Sequence, residues 1–459
     1  MNKQISFKEA VTILILMLVM LGWGVIGFGM SPQIPVLTVI ALLIFWLQIR
    51  GFEWEEVMKG ISQGISTAIV PIFLFLLIGT LIAVWIQAGI IPFLMVMGFH
   101  MISSHFFVPS VFLVCSLVGL AIGSGFTTVS TVGIALFGMG STLGINPALT
   151  AGAIISGAVF GDKMSPLSDS TNLASAVAET DLFEHIKNMM WSTIPAFIGS
   201  LLFFFFLGQS NKATSLAGIA AVESSLRQNF SVSFWSALPI ILMFACAWKK
   251  VPAIQTLFAN IFLSVAMIFV QNPGFKMQKL ATLIESGYVS NSGNKTVDAL
   301  LTRGGISSMM GTVSLIIMTL ALGGILMHLG IIDSAMKPLV ERLKKPGRLI
   351  LTTIMAGIGI NLFVGEQYLS VILPANAFKP AYKRIGLDPL TLSRALEDGG
   401  SVINYLIPWG VAGSFVASAL GVPVLDFLPF TMFSLLSPVF SILSGFTGIG
   451  LKWKQEKVA

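Results

Sequence analysis

Gly161-Asp162-Lys163-Met164-Ser165-Pro166-Leu167-Ser168-Asp169-Ser170-Thr171-Asn172 is a polar stretch embedded in apolar sequence, with AGAIISGAVF before it and LASAVA after it. Two aspartates, a lysine, three serines, a threonine, an asparagine and a proline share these positions. In a soluble protein such a stretch would be a surface loop. Its meaning here depends on the sequence on either side.

That surrounding sequence is a membrane protein's. Of 459 residues, 55% are hydrophobic and 10% charged, with a mean hydropathy of +0.90; soluble domains carry about 25% charged residues. Near-continuous apolar runs occupy 11–20, 34–49, 68–86, 194–207 and 306–326. A spanning helix takes about 20 such residues, fewer where it is broken. The first run lacks a small-residue cleavage site and is followed by many others, so it reads as a span and not a signal peptide. The net charge of +6 does not point to nucleic acid, because the lysines and arginines sit in short loops, where they set topology. Cys115 and Cys246 lie in apolar runs and imply buried thiols, not a disulfide or metal framework.

In chain order, a span follows Lys8, a second ends near Arg50, and 51–60 is a short charged connection. A third covers 67–87, followed by a Phe/Met/His stretch to 107. Spans at 108–123 and 126–144 precede 146–178, which the opening stretch interrupts. Then come a charged loop (179–187), a span (191–208), a polar connection (210–228), spans at 233–247 and 253–271, and a long polar loop (272–303). Further spans fall at 306–329, 349–363 and 368–378, with an interrupted segment at 390–420 and a last span at 425–446. This gives an all-α polytopic protein with about 12–14 transmembrane segments at about 20 residues each.

The halves repeat. Gly64-Ile65-Ser66 matches Gly305-Ile306-Ser307, and Gly89-Ile90-Ile91 matches Gly330-Ile331-Ile332. Gly144-Ile145-Asn146-Pro147 matches Gly386-Leu387-Asp388-Pro389, and the same offset lays Pro166 on Pro408. The expected organisation is an N-terminal pair of spans (1–59), one repeat (60–178), connecting spans and a polar loop (179–300), a second repeat (301–420), and a last helix with its tail (421–459). With the N-terminus in the cytoplasm, Lys212, Arg227, Lys276, Lys279, Lys295 and Arg303 fall outside. Lys163 and Arg394 stay within the membrane, and the rest of the 26 basic residues fall inside, the C-terminal tail among them. That asymmetry supports the orientation and makes the repeats inverted, with broken helices or re-entrant hairpins meeting at the midplane, as in secondary transporters.

In such folds the site lies where a helix in each repeat is broken. Here the breaks are at Pro166 and Pro408. Each proline removes a helical N–H and disrupts the turn before it, and the freed carbonyls, with hydroxyl, amide and carboxylate oxygens, suit a small hard cation such as Na+. Asp162 and Asp169 would lie on nearly one face of an unbroken helix, about two turns apart. Since an isolated ionised carboxylate is costly in hydrocarbon, one that holds either a proton or Na+ is the minimum equipment for exchanging them. Lys163 is the expected charge partner of a carboxylate when the cation is away. The second repeat adds Asn404, matching Asp162, together with Glu397, Asp398 and Glu366. Each has a structural alternative: Asp162 paired with Lys163, Asp169 capping a helix, and Glu366, Glu397 and Asp398 in a water-facing turn. His100, His105 and His185 read as loop residues, His328 as a hydrogen-bonding group at a span end, and phenylalanines 203–206 as lipid contacts.

The segment FGDKMSPLSDSTN, Phe160 to Asn172, resembles the signature segment of the NhaC family of bacterial Na+/H+ antiporters. The chain's length, its paired halves and the later Glu-Asp-Gly-Gly-Ser segment from Glu397 agree with that family. The resemblance implies an inner-membrane secondary transporter of the ion-transporter fold. It points to Asp162, Ser165, Ser168, Asp169, Thr171 and Asn172 as the cation and proton site, with the two aspartates on Na+. The family also includes malate-2H+/Na+-lactate antiporters, so the resemblance does not fix the substrate.

The expected function is therefore antiport, cytoplasmic Na+ leaving as H+ enters. The alternative is Na+-coupled transport or exchange of a small carboxylate or amino acid. A channel suits carboxylates at paired breaks less well, and no nucleophile, phosphate loop or metal motif points to an enzyme. No cofactor is expected. The expected partners are Na+, H+, the bilayer and, in the alternative, a small organic anion, with no nucleic acid and a homodimer left open.

Overall fold

The computed structural model describes residues 5–101, 106–208, 216–341 and 343–453. Lys3, His105, Lys212, Arg342, Lys454 and Lys457, which enter the charge and histidine readings above, lie outside these. The described chain is helical, with two isolated β-bridges. Seven helices are long and apolar enough to cross a membrane, or up to nine if each bent pair is one span. The expected 12–14 crossings also counted shorter apolar helices such as Gln33–Ile49 and Phe107–Ile122.

Twelve helices carry the argument. The first half supplies α1 (Ile69–Gln87), α2 (Phe107–Ile122), α3 (Gly125–Thr128, continuing through a π turn to Thr142), α4 (Pro147–Met164), α5 (Asp169–Ala178) and α6 (Leu182–Gly208). The second supplies α7 (Ile306–His328), α8 (Pro346–Val364), α9 (Gln367–Arg384), α10 (Pro389–Gly399), α11 (Val411–Leu420) and α12 (Met432–Thr447).

The same local chemistry starts and stops corresponding helices in both halves. Asn146 caps α4 by accepting the Ala148 N–H at 2.8 Å, and Asp388 caps α10 by accepting that of Leu390 at 2.9 Å. Each cap is followed by a proline in the first helical position, where its missing N–H costs nothing. Gly123 ends α2 at φ +72° and Gly365 ends α8 at φ +71°, the left-handed stop glycine adopts without a Cβ clash. Packing repeats as well. A Cβ on Gly157 would run into the carbonyl oxygen of Phe112, and one on Gly399 would lie 2.6 Å from that of Ile354. So α4 sits backbone-close on α2, and α10 on α8, at equivalent residues.

Several expectations change. Most of residues 51–60 belong to a helix, Trp54–Ser66, packed on α7. The connection at 210–228 holds the helix Leu216–Asn229, whose described part forms a bent pair with the segment ending at Trp248. The polar loop at 272–303 holds two short helices, Met277–Ser286 and Lys295–Leu301. It is tied by Asp298, whose carboxyl the Ser292 amide and the Ser292 and Ser290 hydroxyls hold below the usual carboxylate range. Of phenylalanines 203–206, Phe206 is exposed, but Phe204 is fully buried and packs its ring 5.4 Å from that of Phe112. Both cysteines are free thiols.

Candidate functional site

The first break is short. Helix α4 ends at Met164, Ser165 is extended (φ −82°, ψ 129°), and α5 begins at Asp169. Four expected site residues satisfy the backbone groups this leaves orphaned. Ser165 Oγ accepts the Leu167 N–H at 3.2 Å, and Ser168 caps α5. Thr171 donates its hydroxyl to the Lys163 carbonyl at 3.0 Å. The Asn172 amide donates to the carbonyls of Ser168 and Pro166 at 2.7 and 3.0 Å. These residues hold the break in shape.

The second break is longer, from Gly400 to Gly410, and buried except at half-buried Pro408, with one 3-10 turn at Asn404–Leu406. Asn404 is its clasp. Its amide nitrogen donates to Asn361 Oδ1 at 2.7 Å and to the Gly365 carbonyl at 3.3 Å, while its oxygen accepts the Ala412 N–H at 3.0 Å. Asn361 in turn donates to the carbonyls of Gly400 and Gly399 at 2.6 and 3.2 Å. Both ends of the Asn404 amide are thus consumed within the break.

Between the breaks lies a cavity of about 510 Å³. Asp162, Asp169, Asn172 and Glu366 line it, with Phe75 and Phe126 as apolar wall and Lys250 on the connection between the helices Leu238–Trp248 and Ala253–Gln271. The Asp162 carboxylate accepts from the Ser168 hydroxyl and the Gly125 N–H. Ser168 and Ser170 hydroxyls lie 3.1 Å apart, and Ser170 donates to Glu397 Oε1 at 3.0 Å. Each serine spends its one hydroxyl hydrogen outward, Ser168 on cavity-facing Asp162 and Ser170 on fully buried Glu397, so the two carboxylates face each other across a pair of adjacent hydroxyl oxygens. Asp169 opens the first turn of α5 and is exposed, where the helix dipole favours its charge. Glu366 caps α9, accepting the Leu369 N–H at 2.8 Å.

Lys163 pairs with a carboxylate, and that carboxylate is Asp398 of the other half. Lys163 turns away from Asp162 and Asp169, and its Nζ lies 2.5 Å from Asp398 Oδ1, both side chains almost wholly buried. Ser192 on α6 and Ser437 on α12 also donate to Asp398, at 2.8 and 2.5 Å. A buried charge needs a partner and hydrogen bonds to offset desolvation, and the cavity-lining aspartates offer less enclosure. Asp398 therefore faces the ion pair, not the cavity. Arg394, also fully buried, donates to Ser444 Oγ and the Gly450 carbonyl. His185 is not a loop residue: it is fully buried on α6, its Nδ1 2.7 Å from Ser393 Oγ. His328 does end α7 and meets Gln63 at 2.9 Å.

Some participants escaped the sequence reading. Tyr405 is buried with its hydroxyl beside Gly125, where a glycine Cβ would also lie 3.4 Å from Asp162 Oδ2. Asn361 gives a sequence signal, as a lone amide in an apolar run. Ser192 and Ser437 give none, because only the fold brings them to Asp398. Among the described residues no group of three or more His, Cys, Asp or Glu gathers as a metal site.

The profile of the Na+/H+ antiporter family matches residues 157–449. The Na+/H+ antiporter NhaC of Bacillus subtilis is 40% identical, over 97% of this chain and 99% of its own length. That of Alkalihalophilus pseudofirmus is 36% identical over 99% of both. The arginine/ornithine antiporter ArcD of Halobacterium salinarum is 36% identical, over 99% of this chain and 94% of its own.

Proposed function

The chain belongs to the Na+/H+ antiporter family, and on that premise we propose that it is a multi-pass secondary transporter exchanging cytoplasmic Na+ for external H+ by alternating access. The observation that carries this is the placement of charge. The cavity presents Asp162, Asp169 and Glu366, while the membrane-embedded cations Lys163 and Arg394 are engaged elsewhere. Such a surface attracts a cation.

Na+ enters past exposed Asp169 and is held at Asp162, with oxygens of the break completing its shell. Asp162 holds the ion or a proton, so loading one releases the other. Ser168 and Ser170 lie between it and Glu397, the second carboxylate through which the proton can be shared. Segments 60–178 and 301–420 are the inverted repeats that rock about this point, flanked by 1–59, 179–300 and 421–459. The protein sits in a bacterial inner membrane with both termini cytoplasmic. Lys250 then marks the cytoplasmic mouth of the cavity.

A second reading is exchange of an organic solute, which the cavity volume favours because a bare ion needs far less space. The lining charges favour a cationic amino compound over the small carboxylate, since Lys250 alone among lining residues could pair with a carboxylate.

Purified protein in vesicles with an imposed pH gradient tests this. Na+ alone should collapse the gradient. A strict requirement for added arginine, ornithine, malate or lactate would replace the first reading with the second.

A further inference from the structure

Behind the Lys163–Asp398 pair, away from the cavity, three helices bring polar side chains together. On α6, His185, Asn188 and Ser192 recur at helical spacing on one face, and on α12 Ser434, Ser437, Ser441 and Ser444 do the same. Thr391, Ser393 and Arg394 of α10 complete the seam. All are buried.

The hydrogen bonds anchor its two ends. At the inner end Ser192 and Ser437 donate to Asp398. At the outer end Arg394 reaches Ser444 at 2.8 Å and the Gly450 carbonyl at 3.3 Å, next to the exposed Ile449. Between them, one turn from each anchor, sit Asn188 and Ser441. Neither amide atom of Asn188, nor the Ser441 hydroxyl, Arg394 Nε or His185 Nε2, has a hydrogen-bond partner among the described residues. Buried polar groups are rarely left unpaired.

The chemistry of these atoms selects the ligand. Ser393 gives its hydrogen to the Leu390 carbonyl at 3.0 Å, so it receives that of His185 Nδ1 and leaves Nε2 as an acceptor. His185 Nε2 and Asn188 Oδ1 need donors, while Arg394 Nε and Asn188 Nδ2 need acceptors. An anion satisfies only the second pair, and a metal cation only the first. Water satisfies both.

We propose that this seam binds a file of water molecules that conducts protons between the 448–450 turn and the Asp398–Lys163 pair, a route separate from the cation cavity. Each hop breaks one O–H bond and forms the next along the file; at the inner end the proton goes onto the Asp398 carboxylate, and its release from there restores the ion pair with Lys163. The inference rests on the antiport reading for its function but not for its hydration.

Two measurements test it. Hydroxyl-radical footprinting of the intact protein in vesicles should label His185 as readily as an exposed histidine, since bound water is the radical source. An unlabelled His185 overturns the proposal. Asn188→Leu fills the middle of the file, and should slow Na+-driven proton movement by about a hundredfold, the low end for a lost positioned proton-transfer group. Exchange of 22Na+ for Na+, which needs no proton, should stay at the wild-type rate. Loss of both exchanges together, or of neither, overturns the proposal. Ser441→Ala, which removes only a hydroxyl, gives the same split at smaller amplitude if the leucine variant does not fold. Wild-type protein that moves no protons with Na+ would refute the antiport reading instead, with footprinting still deciding whether water is there.

Discussion

The two helix breaks share a sequence pattern and differ in what they present. Laid on each other at the repeat offset, Asp162-Lys163 of the first falls on Asn404-Tyr405 of the second. In the other direction, Glu397-Asp398 falls on Ile155-Ser156. Each half is charged where the other is neutral. The first break is short and shows its carboxylates to the cavity; the second is long and mostly buried, and it reaches the cavity through Asn404, whose amide is held in a clasp with Asn361. The ion pair Lys163–Asp398 then spans the halves. The difference teaches that near-symmetry supplies the scaffold, while the chemistry lies in the positions where symmetry fails.

The sharpest way to break this comparison is to neutralise the charged member of an equivalent pair. Asp162→Asn makes the first break resemble Asn404 in the second. It should cut Na+-driven dissipation of a pH gradient in vesicles by at least about a hundredfold, with helical content and yield unchanged. Exchange at the wild-type rate would shift the site to Asp169 and leave the first break as scaffold too.

A second test addresses the link between halves. Lys163→Met leaves Asp398 buried without its cation, and removing one partner of such a pair costs about 3–5 kcal/mol. The loss should appear as a lowered thermal unfolding midpoint in detergent. Adding Asp398→Leu removes the stranded charge and should recover most of the stability, although Ser192 and Ser437 then lose their acceptor. If the double variant is no better than the single one, the pair is not what holds the halves together.

How far the sequence could reach follows from the range of each interaction. Pro166 and Pro408, the Asn146-Pro147 and Asp388-Pro389 starts, and the paired glycine stops are local, so each is written beside the structure it causes. The two asparagines of the clasp are legible only in part, since Asn404 lies in a recognisable break but Asn361 lies in another helix. Lys163 does serve a carboxylate, but the alternative that pairs it with Asp162 is not the arrangement found, because neighbours in sequence on a helix point in different directions; its partner is Asp398, 235 positions away. The burial of His185 was hidden for the same reason. A charged loop in sequence became the first turns of α6, and only packing against α10 shows that the histidine faces inward.

The smallest effect should come from a feature the two breaks share. Each is packed against a left-handed glycine, Gly123 at the end of α2 for the first and Gly365 at the end of α8 for the second. A Cβ on Gly123 would meet Leu167 Cβ at 2.7 Å and the Leu167 and Ser168 backbone at 2.8 and 2.9 Å, whereas one on Gly365 would meet Gly410 and Trp409 backbone at 3.2 and 3.3 Å. Alanine at either position takes on the left-handed penalty of about 1–2 kcal/mol. Only Gly123→Ala must also push the short break aside, because Leu167 and Ser168 lie closer to it than real Cβ contacts allow. Gly123→Ala should therefore lower the unfolding midpoint more than Gly365→Ala, and it alone should raise the Na+ concentration for half-maximal exchange, since Ser168 carries the hydroxyl on Asp162. Equal losses in both variants would mean that the breaks are braced alike, and that their difference lies wholly in which side chains they carry.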